Sequence, residues 1–463
     1  MNERFNFLLA MGFVALVTLF GGASRSDALT QTPLRMFAVA FVVVSLWTPN
    51  RVRLQKCLPL FVLMVLITLL PALQLVPLPY DLWASVPANA FYASVVDALG
   101  VEHSARPLTL VPGATRNALL SLLVPLAMLI LAAQLPVDKL WTLAFMIMAV
   151  GVVDIVMGYA QAAGGSGSAL RYYAVTNDDS MVGVFANRNH HAVLLAVVLP
   201  IVAALPLGLN ANATWRRVGH AICALLVALL VATILLTGSR AGLLTGTVGL
   251  LGGALIYGSM ARARMNKDSR SAASGTRIAR FASNPLSAFL GAIVVIIALV
   301  IGFAGTPAMQ RLIKTNAAEE DRARLLEPIL EMTHSLLPFG GGFGSFSTLF
   351  MRFEPVEMLR TTYLNHAHMD VLQVIVEGGI PAALLLAGFL VWWTRRSVIA
   401  WRAPGSASLS GNLGRIGAIT TGIAVIASLV DYPLRTPLHM IIFVIGCIWL
   451  QRAGGNSSRH EAR

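Results

Sequence analysis

Apolar runs long enough to cross a bilayer recur along nearly the whole chain, and they constrain its fold more than any other feature. A helix of roughly 17–25 apolar residues satisfies its own backbone hydrogen bonds while spanning hydrocarbon. About twelve such runs occur, at 5–23, 35–48, 57–76, 116–134, 139–162, 191–209, 218–236, 241–258, 286–304, 377–394, 414–430 and 436–451. The chain is 57% hydrophobic and only 12% charged over 463 residues, with a mean hydropathy of +0.74. No soluble domain of this length needs so much apolar surface. The expected fold is therefore an all-α polytopic membrane protein of about 12 transmembrane helices. The first run is read as a retained anchor, although Gly21-Gly22-Ala23-Ser24 offers the small residues of a cleavage site.

The basic residues set the expected orientation, because cytoplasmic loops collect Lys and Arg. With the N-terminus in the cytoplasm, most of the 34 Lys and Arg fall on that side. They include Arg51, Arg53 and Lys56, Arg216 and Arg217, the run from Arg262 to Arg280, and Arg395, Arg396 and Arg402. Only Glu3, Asp138, Asp268 and Glu461 accompany them among the acids. Both termini are then cytoplasmic. The formal charge of +13 is mostly a topology signal, and with no soluble basic domain to carry it, no nucleic-acid partner is expected. Cys57, Cys223 and Cys447 lie in or beside separate spans with no metal or pairing spacing.

Three segments on the outer side are long enough to build a structure: about 77–115, 163–190 and 305–376. The expected organisation is spans one to nine with short outer loops over 1–304, a large outer loop over 305–376, and three spans with a cytoplasmic tail over 377–463. The loop 259–285 is Ser/Arg/Ala-rich and reads as a linker.

Four motifs carry possible chemistry. In Phe185-Ala-Asn-Arg-Asn-His-His191, Asn187 and Asn189 suit N-cap positions, and Arg188 opens a helix whose N-terminus favours an anion. An interfacial arginine pairing with lipid headgroups fits equally well. His190 and His191 are adjacent, so they diverge by about 100° on a helix and make a poor metal pair. In Thr237-Gly-Ser-Arg-Ala-Gly242, Arg240 again opens a helix beside a Gly-Ser step; a plain turn with a snorkelling arginine is the alternative. Arg322 and Arg324 lie in Glu319-Glu-Asp-Arg-Ala-Arg-Leu-Leu-Glu-Pro328. Guanidinium forks suit phosphate oxygens, and a solvated charged helix is the alternative. The Gly-rich Leu337–Ser345 lacks the Lys-Ser/Thr of a P-loop and reads as a tight turn near a ligand.

The fourth motif, Tyr363–Gly378, sets His366, His368, Asp370, Gln373 and Glu377 at the edge of an apolar run. Ionisable groups at a membrane boundary mark function by default. If a helix begins near Asn365, the residues His366, Asp370, Gln373 and Glu377 share one face. If it begins at or after His368, that histidine stands at the helix N-terminus, free to act as a base in a cavity. No third ligand completes a metal site with the two histidines, so no metal and no cofactor is expected.

These motifs, in this order, together with Leu73-Gln-Leu-Val-Pro-Leu-Pro79, resemble the O-antigen ligase / Wzy polymerase family of bacterial envelope glycosyltransferases over roughly 70–450. The resemblance implies a GT-C-like membrane fold with a helical periplasmic cap, in the bacterial inner membrane. It implies transfer of a glycan from a polyprenyl-diphosphate carrier to an acceptor hydroxyl at the periplasmic face. The acceptor is lipid A–core in ligases, another carrier-linked glycan in polymerases, and a protein Ser or Thr in related oligosaccharyltransferases. It further implies that Arg188 and Arg324, less surely Arg240 and Arg322, bind the diphosphate, and that His368, or else His366, is the base. Asp370 would orient a histidine, with Asn187, Tyr363 and Glu377 as secondary candidates. Where the family often has His-Asn-Asp, this chain has His368-Met369-Asp370. Physically, fixed guanidiniums would stabilise a leaving diphosphate, one base would activate a poor hydroxyl nucleophile, and direct attack would invert the anomeric carbon. A membrane transporter is the rival from another class. It would need charges along a mid-membrane path, and Asp154 is the clearest mid-span acid, with no partner legible in the sequence.

Overall fold

The computed structural model describes residues 3–47, 49–208, 213–269, 317–359, 363–404, 406 and 408–453, with isolated positions between 291 and 302. Every expected span within these residues corresponds to a helix. The expected span at 286–304 and the linker residues Arg270, Arg277 and Arg280 lie outside the described residues. Among the described residues, seven helices are long and apolar enough to cross a membrane, and Gln31–Leu46, Leu58–Gln74 and Pro437–Arg452 are shorter apolar helices. The chain is an all-α, multi-pass membrane protein. Among the described residues, sheet is confined to one antiparallel pair, Pro77↔Pro107 and Leu78↔Arg106.

The helix Arg188–Gly208 is apolar on every side after its first turn and sits at the centre, with Val193, Leu194, Leu195 and Val198 fully buried. The helix Arg240–Ser269 lies against it through small residues. A Cβ on Gly249 would stand 2.4 Å from the Ala196 carbonyl oxygen, and one on Gly242 would stand 2.4 Å from the Ala192 Cβ. Lipid tails are as apolar as leucine, so close backbone approach is what holds such helices together. The last two helices, Leu413–Ala427 and Pro437–Arg452, meet in the same way where Gly417 faces the Gly446 carbonyl.

Described residues of the segments 77–115 and 317–376 pack together as one cap. Val86 and Ala88 share an apolar cluster with Leu325, Ile329, Met332, Phe346, Phe350 and Val376. The segment 163–190 is tied to the helix Val137–Ala163 by buried polar groups. The Gln161 carboxamide oxygen accepts from the Val182 and Gly183 amides at 3.1 and 2.9 Å, and its nitrogen donates to the Leu170 and Gly183 carbonyls at 3.1 and 2.8 Å. Asp154 accepts from the Val184 amide at 2.7 Å and faces His191 Nδ1 at 2.6 Å. The mid-span acid thus has a partner 37 residues away in the chain.

The helix leading into the tenth expected span begins at Asp370, seven residues before the expected boundary, and runs to Arg402. It breaks where Gly379 takes φ 61° and Pro381 follows. Pro381 has no N–H for the Glu377 carbonyl four residues earlier. That carbonyl accepts instead from the Gly342 amide and the Gln74 side chain, both at 2.9 Å. The Gly341 amide bonds the Val376 carbonyl at 3.0 Å, and the Ile380 amide bonds the Pro338 carbonyl at 2.8 Å. The Gly-rich turn therefore satisfies the broken helix.

Candidate active site

The helix starts at Asp370, after His368, so the later of the two expected helix starts is the observed one. Met369 is extended, and His368 is the one non-glycine among the described residues with positive φ, at 53°. Such a conformation costs about 1–3 kcal/mol and persists only where the surroundings impose it. It turns the imidazole toward Asp431, whose Oδ1 lies 3.7 Å from His368 Nδ1. That is an ion-pair separation, too long for a hydrogen bond. Asp431 has no exposed surface, and His368 is 23% exposed. Burial alone would raise the Asp431 carboxyl, but His368, His190 and Asn189 around it outweigh burial and hold it down at about 2.

His366 lies deeper, 9% exposed. Gln373 accepts from the Ala367 amide at 3.1 Å, which fixes its amide; its nitrogen then donates to Glu377 at 2.8 Å and reaches His366 Nδ1 at 3.3 Å. This network assigns the His366 proton to Nε2. Burial, with Arg435 and His368 adding to it, pushes His366 down to about 3, so it is neutral at physiological pH. The Tyr432 ring stands between the histidines, its centroid 4.5 Å from His366, 4.9 Å from His368 and 5.2 Å from His190.

Asp370 does not face His368. Its carboxylate accepts from Arg435 Nε at 3.1 Å and from the Ser428 hydroxyl at 3.2 Å. Arg435 Nη1 also donates to Glu377 at 3.2 Å. Burial opposes the charge on Arg435, but Glu377 and Asp370 outweigh it and raise the guanidinium above its ordinary value. Asp431 and Arg435 were missed in the sequence. Their signal is an acid and a base inside the five-residue turn that joins the last two apolar runs, Asp431-Tyr-Pro-Leu-Arg435.

Arg188 and Arg240 open their helices as expected, and the two openings meet where the Ser239 hydroxyl bonds the Asn189 side chain at 2.7 Å. Asn189 in turn faces Asp431, so both helix N-termini adjoin the His368 loop. Arg188 also pairs with Asp179 at 3.8 Å. His190 and His191 diverge: His190 faces Tyr432, and His191 faces Asp154. Arg324 is exposed on the helix Ala317–Ser335, and the Arg322 side chain lies outside the described residues. Tyr363 is 53% exposed and accepts from Arg25 at 3.0 Å.

Two cavities adjoin the loop. One, of about 390 Å³, is lined by Arg25, Tyr172, Asn177, Asn187, Asn365 and Tyr432. The other, of about 280 Å³, is lined by Arg35, Asn117, Phe343, His366, Asp370 and Arg435. Ser24 and Asn365 belong to both. Among the described residues, no group of three or more His, Cys, Asp or Glu is arranged to hold a metal ion.

The sequence model of the family described as O-Antigen ligase matches residues 225–387. Over that segment the chain is similar to the O-antigen ligase family. That similarity supports, in general terms, a glycosyltransferase-type enzyme of the ligase or polymerase kind, with a lipid-linked glycan and a polysaccharide acceptor. The matched O-antigen ligase segment contains Arg240, Arg324 and the whole of Tyr363–Gly378; Arg188, Asp431 and Arg435 lie outside it. No curated protein matches the chain.

Proposed function

We propose that this protein is an O-antigen ligase-like glycosyltransferase of the bacterial inner membrane, acting at the periplasmic face. It moves a glycan from a polyprenyl-diphosphate carrier to a hydroxyl of lipid A–core or of another polysaccharide. The hydroxyl oxygen attacks the anomeric carbon from the side opposite the carrier, so configuration inverts. The bond from that carbon to the diphosphate oxygen breaks, and the carrier leaves as the diphosphate. His368 takes the hydroxyl proton, and Asp431 stabilises the imidazolium that results. Arg188 and Arg240, each at a helix N-terminus, supply positive charge for the departing diphosphate. Arg324 belongs to the same set only if substrate draws its helix inward.

The observation that carries this reading is the His368–Asp431 pair: an imidazole in a constrained backbone conformation, facing a buried carboxylate beside two helix N-termini, in a loop whose Asn365 borders two cavities. A channel or pump reading has less support. Asp154, the mid-span acid it would use, is already engaged by His191 and the Val184 amide.

The test is transfer in liposomes from a carrier-linked glycan to acceptor. His368→Ala is expected to abolish transfer while the protein inserts normally, and retained transfer overturns the assignment of the base. Transfer is expected to persist in excess chelator. Loss of activity on chelation, with recovery on adding Mg²⁺, would shift the charge-stabilising role from arginine to metal.

A further inference from the structure

The cavity beside His366 does not end at its polar walls. It shares Ile67, Phe343, Asp370, Val374 and Leu434 with an apolar cleft of about 270 Å³ that continues along Leu385 and Phe389. A second apolar cleft, of about 260 Å³, shares Ile67 and Leu434 and runs on past Phe443. The walls come from the helices Leu58–Gln74, Asp370–Arg402 and Pro437–Arg452. One path thus leads from a polar chamber down between three apolar helices.

The chamber is short of hydrogen-bond acceptors. Among the described residues, Arg35 Nε, Arg435 Nη2 and His366 Nε2 are buried and have no partner within hydrogen-bond distance. All three are donors, His366 by the tautomer its Gln373 contact assigns. Among the described residues, Arg35 bonds the neutral Asn117, at 2.6 Å, and Gln31, at 3.3 Å, and no carboxylate pairs with it. A buried donor without an acceptor costs about 1–3 kcal/mol. Three around one cavity call for an oxygen-rich group, and an uncompensated guanidinium favours an anionic one.

We infer that this chamber and its clefts seat the carrier lipid: the phosphate nearer the lipid lies among Arg35, Arg435 and His366, and the polyprenyl chain lies in the apolar clefts. This rests on the glycosyltransferase reading and extends it. The head would then run from the clefts past Asn365, which borders both cavities, bringing the sugar-side phosphate to His368 and to the helix ends at Arg188 and Arg240. A bulk phospholipid satisfies the same donors only through its headgroup and has no sugar to extend past Asn365.

The test measures binding without turnover. The purified full chain in detergent is titrated with undecaprenyl phosphate, and occupancy is read by native mass spectrometry. Wild-type protein is expected to bind one equivalent saturably. Arg35→Gln, which removes the unpaired cation, is expected to weaken binding roughly tenfold or more. Val374→Trp, which fills the junction of chamber and cleft, is expected to weaken it comparably while leaving Arg35 in place. Phosphatidylglycerol or a lipid A species displacing the probe at equal concentration overturns the assignment in favour of a general lipid crevice. Undiminished binding by both variants also overturns it. Wild-type transfer with unaltered carrier binding in both variants defeats the seat alone. Carrier binding that both variants weaken, without transfer to any acceptor, defeats the glycosyltransferase reading alone.

Discussion

Asp431 and His368 divide their roles by environment. A carboxylate with no exposed surface, surrounded by imidazoles and an amide, stays ionised. A partly exposed imidazole beside it can both reach substrate and hold the proton it takes. Asp431→Asn keeps the shape and removes the charge, so kcat is expected to fall about 10²–10⁴-fold with little change in donor KM. A loss confined to KM would make Asp431 a binding residue instead. His366 gives a pH signature in stability. Its folded value is about 3, against 6.5 for the free side chain. Between those values the unfolded chain holds the extra proton, so stability falls as pH drops from about 6.5 toward 3. Asp431, held near 2 against an ordinary 3.8, adds a further loss between those two values. His366→Gln is expected to flatten the decline in unfolding temperature between pH 6.5 and 4, and an unaltered slope counts against a buried neutral His366.

Among the helices, the contact between Arg188–Gly208 and Arg240–Ser269 depends on residues without side chains. Gly249→Val would drive a branched side chain into the Ala196 carbonyl, which a Cβ alone already approaches to 2.4 Å. Loss of the monodisperse folded species on size exclusion in detergent is expected. Gly219→Ala, where a Cβ meets nothing within 4 Å, is the control expected to behave as wild type. The broken helix Asp370–Arg402 follows a related logic. The break frees backbone groups at Val376, Glu377 and Ile380, and the Gly-rich turn and Gln74 take them up. The cap is thereby fixed to the helix that begins beside His368. The glycine run thus meets the site twice, through this coupling and through Phe343 and Gly344, which line the cavity beside His366.

Across the whole molecule, the site is assembled from the loop before Asp370, the turn between the last two helices, and the N-termini at Arg188 and Arg240. All must open on one side of the bilayer. Cysteines introduced singly at Tyr363 and Arg395, in a background lacking the native three, test this. A membrane-impermeant maleimide applied to intact spheroplasts is expected to label position 363, and to label 395 only after permeabilisation. Equal labelling of both in intact cells would overturn the orientation inferred from the basic loops.

The apolar runs by themselves determined the membrane class and the approximate helix positions, because satisfying backbone groups in hydrocarbon is a local demand that each segment must meet alone. The His366–Glu377 cluster was legible for the same reason, as ionisable groups where the bilayer penalises them. Which groups meet was decided only by tertiary structure. Asp154 found His191, Arg435 found Asp370 and Glu377, and His368 faced Asp431 in place of Asp370. Helix spacing can rank neighbours within one segment, but contacts between distant segments depend on how the helices pack, and the packing is set by small residues and breaks such as Gly249 and Pro381 rather than by the charged residues it brings together.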